Sequence, residues 1–274
     1  MRLANVDGRA ALVTPDGAAT VDVTGFAGFG DVFERWDELR ARASDGGHEQ
    51  RPIPIDPDRL GPPSPAPSQV FAIGLNYAAH AAESGMPVPE FPTTFTKFPT
   101  CLTGASAVVD LPSASVDYEV ELVVVIGRRA HRVDAGSAWG HVAGLAVGQD
   151  LSERVVQMRP PAPQFSLGKS FPGFGPVGPW LVTPDELADP DDLAIACRLN
   201  GELVQASRTS DLIFSVGEII ERVSHITPML PGDLIFTGTP SGVGVSRDPQ
   251  RFLRPSDVLE STIEGVGTIV TRCR

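Results

Sequence analysis

The chain has 274 residues, of which 42% are hydrophobic and 20% charged, and its formal net charge is −12. That length accommodates one substantial domain, or a large and a small one, with an ample core. The acidity, with no basic stripe to neutralise phosphates, speaks against nucleic acid and against docking on an anionic membrane surface.

Residues 1–25 read as short strands with Asp-Gly turns at Asp7-Gly8 and Asp16-Gly17, a hairpin signature. Residues 31–43 read as a helix with Asp31 as its N-cap. From Arg51 to Gln69 there are seven prolines in nineteen residues. Proline fixes φ and removes donors, so this stretch is expected to be an extended connector. The expected division is a small N-terminal domain over 1–60, a proline-rich linker over 61–69 and a large domain over 70–274 that carries the clustered chemistry. Within it short apolar strands are predicted at 70–74, 118–126, 142–148, 193–199, 233–237 and 267–271. Helical stretches near 76–84, 152–158 and 214–224 are few and short. This is a mostly-β pattern without the regular strand–helix alternation of a doubly wound fold.

Cys101, Cys197 and Cys273 are far apart and form no CxxC pair, so neither a disulfide framework nor a thiolate metal site is expected. The first residues carry no apolar signal core, and no run of about 18 apolar residues follows. The expectation is a cytoplasmic protein with no membrane segment.

Four short stretches carry candidate chemistry. His80 and Glu83, at i and i+3 on the first predicted helix, share a face and can hydrogen-bond, which orients an imidazole as a general base requires. Asp117, Glu119 and Glu121 alternate on a strand that runs into an aliphatic segment, with Tyr118, Val120 and Leu122 on the opposite face. A solvated strand face is the plain alternative, but Leu122 to Ile126 looks buried on both sides. Buried carboxylates repel one another unless a cation holds them, so the cluster is a metal-site candidate. Asp150 ends a strand where a helix begins, with Arg154 and Gln157 on the same helical face. Lys169 sits in a Gly/Pro-rich turn; its Gly-Lys-Ser is not a phosphate loop, because Pro163 stands where the loop needs glycine. Finally, a strand delivers Thr237 and Thr239 into a glycine-rich loop whose backbone N–H groups are disposed to bind an anion.

In their order and spacing these stretches resemble the fumarylacetoacetate hydrolase family over roughly residues 70–270. The residues that carry the resemblance are Gly74-Leu-Asn-Tyr-Ala-Ala-His80-Ala-Ala-Glu83, Phe95-Thr-Lys97-Phe-Pro99, Asp117-Tyr-Glu119-Val-Glu121-Leu, Asp150-Leu-Ser-Glu-Arg154-Val-Val-Gln157, Gly168-Lys169-Ser170 and the run from Pro231 to Gly244. The resemblance implies an α+β, mostly β fold, the family's mixed β-sandwich roll, behind a small N-terminal domain. It implies Mg²⁺ or Mn²⁺ held by Glu119, Glu121 and Asp150, with Asp117 outside that set. His80 and Glu83 would activate water, Lys169, Arg154 and Gln157 would line the reacting end, and Thr239 would hold a substrate carboxylate. A homodimer is implied as well.

An all-oxygen donor set suits a hard divalent cation. The activity expected is hydrolysis of a C–C bond in a 2,4-dioxo acid of acylpyruvate type, through an enolate that the cation stabilises. The alternatives are decarboxylation of a 2-oxo diacid such as oxaloacetate, or isomerisation of a 2-hydroxy-diene dioate in aromatic catabolism. A non-catalytic metal-binding β-protein is the alternative of another class. Two departures from the family pattern are noted: Leu253-Arg-Pro-Ser-Asp257 is expected to change a turn, and Pro160, Pro161 and Pro163 are expected to border the pocket mouth.

Overall fold

The structure is a computed structural model that describes residues 1–23, 25–26, 28–45 and 52–274. Thr24, Ala27 and residues 46–51, which fall in the expected N-terminal domain and at the start of the proline-rich connector, lie outside the described residues. The architecture is sheet-dominated α+β. A large mixed sheet runs through Ile53–Pro54, Ala19–Asp22, Arg9–Val13, Arg2–Val6, Gly175–Val182, Val142–Gln149, Val120–Ile126, Leu234–Phe236, Val70–Gly74 and Thr93–Thr96. A second sheet, in the order Glu202–Arg208, Ala194–Leu199, Val258–Ile263, Gly267–Cys273 and Ser106–Val109, packs on one face of the first. Among the described residues no helix is long and apolar enough to cross a membrane.

The N-terminal hairpin forms as its Asp-Gly signal predicts: Asp7 and Gly8 both adopt positive φ between Arg2–Val6 and Arg9–Val13. Its first strand then pairs antiparallel with Gly175–Val182, with Arg2 opposite Val182, so the amino-terminal strands extend the large sheet. The predicted helix over 31–43 begins later, at Trp36, and runs to Ser44. Asp31 belongs instead to a short 3₁₀ turn, and the N-cap is Arg35, with no side-chain cap. Packing decides this boundary. Phe29, Val32, Phe33, Trp36 and Leu39 are all buried on the outer face of the sheet, and the Phe29–Phe33 and Phe33–Trp36 rings lie 6.0 and 5.9 Å apart.

The strand Val120–Ile126 lies at the centre of both cores. Tyr118, Val120, Leu122, Val124 and Ile126 join the apolar layer between the two sheets. Val123 and Val125 point the other way, into the layer under the amino-terminal helix. The face that begins with Glu119 and Glu121 therefore continues as Val123 and Val125, as a period of two requires. Register brings the remaining chemistry alongside. This strand is antiparallel to Val142–Gln149, with Val120 opposite Gln149, and antiparallel to Leu234–Phe236. Leu234–Phe236 is in turn parallel to Val70–Gly74. The start of the carboxylate strand thus lies at the same edge as the carboxyl ends of its two neighbours and of Val70–Gly74 beyond them, which lead into Asp150, Gly238 and the helix bearing His80.

Candidate active site

At that shared edge Glu119, Glu121 and Asp150 are all buried, and each offers a carboxylate oxygen within 4.8 Å of the others. Glu119 sits where the strand leaves its ladder, and side chains complete the backbone there. Gln149 Oε1 accepts from Glu119 N at 2.9 Å, Gln205 Oε1 accepts from Val120 N at 3.0 Å, and Asp150 N donates to Glu119 O at 2.9 Å. The two carboxylates on this strand differ electrostatically. Burial alone would raise Glu119, but Lys169 and Arg154, with His80 behind them, hold it down to about 2. Burial, followed by the like charges of Asp150 and Glu119, pushes Glu121 well above the usual carboxylate range. Among the described residues Glu121 has the Gly238 N–H at 2.8 Å but no cation in direct contact, Lys169 acting on it only at longer range. A buried carboxylate without a contacting cation, beside two others within ligating reach, is the arrangement a hard divalent ion would satisfy.

The cations of the site are fixed by these acids. Lys169 Nζ donates to Glu119 Oε2 at 2.8 Å and to Asp150 Oδ2 at 2.6 Å. Desolvation would lower Lys169, yet Asp150 and Glu119 raise it above its ordinary value, so it is an ammonium. Arg154 bridges two carboxylates of the strand. Its Nε and Nη2 donate to Asp117 Oδ2 at 2.9 and 2.7 Å, and its Nη1 lies 2.7 Å from Glu119 Oε1 and 2.9 Å from Gln157 Oε1.

His80 and Glu83 lie on the short helix Ala78–Glu83, with His80 Nδ1 and Glu83 Oε1 2.7 Å apart. The carboxylate leaves Nε2 as the ring nitrogen free to exchange a proton. Leu75, which follows Val70–Gly74, takes φ of 56°, a left-handed conformation that is strained for leucine. It turns the chain sharply from Val70–Gly74 into this helix, and Asn76 secures the turn by bonding Phe214 and Thr237.

The glycine-rich loop does bind anions, but they are the protein's own. Gly238 N donates to Glu121, Gly242 N to Glu83 Oε2 at 2.9 Å, and Gly244 N and Val245 N to Asp117 at 2.7 and 2.9 Å. Gly242 has φ of +110°, and a Cβ there would lie 2.2 Å from Val204 O, so only glycine fits.

The structure thus gathers the residues assigned catalytic, substrate-binding or metal roles, but with altered partners. His80, Glu83, Glu119, Glu121, Arg154, Gln157, Lys169 and Thr239 line one cavity, with Asp150 buried beneath it. Asp150 does not cap the following helix: Glu153 does, accepting from Val156 N at 2.6 Å, and the helix is the single turn Arg154–Gln157. Arg154 pairs with Asp117 and Glu119, across the small ladder of Val116–Asp117 with Ser152–Glu153, rather than with Asp150. Asp117, without a role in the sequence reading, anchors that guanidinium and the glycine loop together. The Thr239 hydroxyl donates to Val120 O at 2.9 Å and accepts from Gln205 at 2.8 Å, so its one proton is already committed. Pro160, Pro161 and Pro163 do not line the cavity, which is walled by Met158 and Phe165 on either side of them.

Lys97 escaped assignment from sequence. It is fully buried and donates to Asp150 Oδ1 at 2.6 Å, to Phe174 O at 3.1 Å and to Lys169 O. Its presence in the Phe95-Thr-Lys97 stretch was the available signal. The three cysteines are free and buried, away from any thiolate cluster.

Comparison with known proteins agrees with this geometry. Residues 69–274 match the family model described as fumarylacetoacetate (FAA) hydrolase C-terminal. The chain is 45% identical over 212 residues to the Bos taurus protein named oxaloacetate tautomerase FAHD2B, mitochondrial, covering 77% of this chain and 68% of that protein. A crystal structure of a Mycobacterium smegmatis protein provisionally named HpcE is 50% identical, with a TM-score of 0.92 over 100% of this chain and 99% of that one. A 5-carboxymethyl-2-hydroxymuconate delta-isomerase from Mycobacterium smegmatis is 32% identical, with a TM-score of 0.78 over 100% and 98%. With a family model over three quarters of its length and structural relatives over all of it, the chain belongs to the fumarylacetoacetate hydrolase family of enzymes.

Proposed function

We propose that the protein hydrolyses a C–C bond in a 2,4-dioxo acid of acylpyruvate type, RCOCH₂COCOO⁻, with a divalent cation, Mg²⁺ or Mn²⁺, as cofactor. The observation that carries the reading is the His80–Glu83 pair, hydrogen-bonded at 2.7 Å and lining the same cavity as the buried carboxylates. Glu119, Glu121 and Asp150 would hold the cation, whose chemistry when bound is Lewis-acid stabilisation of negative charge on the 2-oxo oxygen.

The chain's own groups supply the rest. Glu83 fixes the His80 ring with Nδ1–H toward itself, so Nε2 takes a proton from water, and the hydroxide adds to the distal carbonyl. The bond between that carbonyl carbon and the methylene then breaks. Its electron pair moves toward the 2-oxo group, where the Lys169 ammonium contributes a fixed positive charge. A cation at about 4 Å is worth roughly 4 kcal/mol at an effective dielectric of ~20. His80 returns its proton to the methylene carbon, leaving pyruvate and RCOOH, whose remaining proton passes to solvent. Arg154, clamped by Asp117, keeps Glu119 and Gln157 in place along the cavity wall.

A second reading is keto–enol tautomerisation of a 2-oxo acid, which the names of the 45%-identical relatives favour, or decarboxylation of a 2-oxo diacid. It uses the same charge-stabilising floor without adding water. His80→Ala separates hydrolysis from decarboxylation: hydrolysis should be lost, while loss of CO₂ from a 2-oxo diacid, which needs no activated water, should persist. Hydrolysis of the dioxo acid at the wild-type rate in that variant would overturn the proposal. A homodimer belongs to the same proposal, and light scattering should return twice the mass of the chain.

A further inference from the structure

The cavity of about 380 Å³ is divided by chemistry from floor to mouth. Its floor is the buried, charged group of Glu119, Glu121 and Lys169. Its outer wall is Leu75, Met86, Phe95, Met158 and Phe165, with Met86 and Met158 half exposed at the opening (52% and 55%). Phe95 joins the two regions. Lys169 Nζ lies 5.2 Å from its ring centre, and its edge-on neighbour Phe165 is 5.6 Å away, centroid to centroid.

Among the described residues the cations in this wall are Arg154 and Lys169, and both are held by protein carboxylates. Glu83 and Glu119 add negative charge to the same space. A ligand carboxylate placed toward the mouth would therefore lose water against thioether and aromatic carbon, with no free cation to meet it.

Resting on the reading that the floor takes the 2-oxo acid end of the substrate, we propose that the other end is apolar. The acyl group would be aromatic or medium-length alkyl, lying on Phe95, Phe165, Met86 and Met158, and a second carboxylate would be selected against. Methionine thioethers adapt to tails of different shape, and the tilted phenylalanines offer both edge and face to a ring. The volume agrees, since pockets from about 300 Å³ upward bury ligands considerably larger than a four-carbon diacid. This preference would set the chain apart from the diacid in the names of its curated relatives.

The test measures kcat/KM with Mg²⁺ for 2,4-dioxo acids carrying methyl, pentyl, phenyl or carboxylate-ended tails. The value should rise roughly fourfold per methylene until the cavity is full. Pentyl and phenyl should exceed a carboxylate-ended tail of equal length by roughly 100-fold. Met158→Arg, at a half-exposed position that tolerates a long polar side chain, should move the carboxylate-to-alkyl ratio at least about tenfold toward the carboxylate. Calorimetric binding of phenylpyruvate against 2-oxoglutarate, neither of which has a 4-oxo group to hydrolyse, reads the tail preference without turnover. Tighter phenylpyruvate binding with no hydrolysis of any dioxo acid would sink the reaction and support the apolar subsite. Equal or tighter binding of 2-oxoglutarate, or equal kcat/KM for carboxylate-ended and alkyl tails, would overturn the subsite.

Discussion

Replacing Glu119 and Glu121 one at a time by glutamine tests whether the two carboxylates, two residues apart on one strand, have opposite energetic roles in the metal-free protein. Glu119 is lowered from 4.5 to about 2: Lys169 and Arg154 outweigh the effect of burial. At about 1.4 kcal/mol per unit, its ionised form contributes about 3 kcal/mol to folding at neutral pH. Because the folded value is depressed, that contribution is present above pH 4.5 and is lost as pH falls from 4.5 through about 2. Glu119→Gln should therefore destabilise by about 3 kcal/mol, leaving Lys169 and Arg154 short of an anion. Glu121 is shifted the other way, by burial and by Asp150 and Glu119, so it opposes folding increasingly as pH rises above its ordinary 4.5. Glutamine at 121 keeps an acceptor for the Gly238 N–H and removes the titration. Glu121→Gln should leave the metal-free protein unchanged or more stable, and the difference from wild type should grow as pH rises above 4.5. Urea denaturation in EDTA at pH 5 and pH 7 measures both. Equal losses in the two variants, or a larger loss at 121, would refute the electrostatic assignment.

Three further outcomes follow from the same geometry. Lys97→Met leaves Asp150 buried with one of its two lysines, and should cost roughly 3–5 kcal/mol in urea denaturation, much of it recovered when Asp150→Asn is added. Metal binding should release protons and tighten as pH rises above the ordinary 4.5, because the ion displaces protons from a carboxyl that burial and like charge hold raised; calorimetry in two buffers of different ionisation enthalpy reads this, and an affinity that stays flat as pH rises above 4.5 would contradict it. Gly242→Ala forces a Cβ to 2.2 Å from Val204 O and shifts the N–H that holds Glu83. It should lower kcat on the dioxo acid by roughly tenfold or more, with Mn²⁺ affinity unchanged.

What the sequence made legible was local. The His80–Glu83 pair follows from helical spacing, and the opposed faces of Tyr118–Leu122 and Glu119–Glu121 follow from strand alternation. The sandwich class was readable from strand density together with the family resemblance. What it did not reveal was long-range pairing. Asp150 reaches Glu119 through the antiparallel register of two strands, and Arg154 finds Asp117 across a two-residue ladder, neither of which helical spacing encodes. Lys97 was hidden because a lone lysine on a half-exposed strand reads as surface until Asp150 is seen behind it. The glycine loop was read correctly as an anion binder, but chain topology alone decides that its anions are Glu83, Asp117 and Glu121. The amino-terminal helix starts late because aromatic packing outweighs one capping aspartate.

The most direct measurement of the central claim is turnover of an acylpyruvate, followed as loss of its ultraviolet absorbance, by wild type and Glu119→Ala, each with Mg²⁺ and with EDTA. The account predicts turnover by wild type with Mg²⁺ alone, pyruvate and the free acid as products, and none in the variant. Turnover that survives EDTA, or a fully active Glu119→Ala, would contradict it.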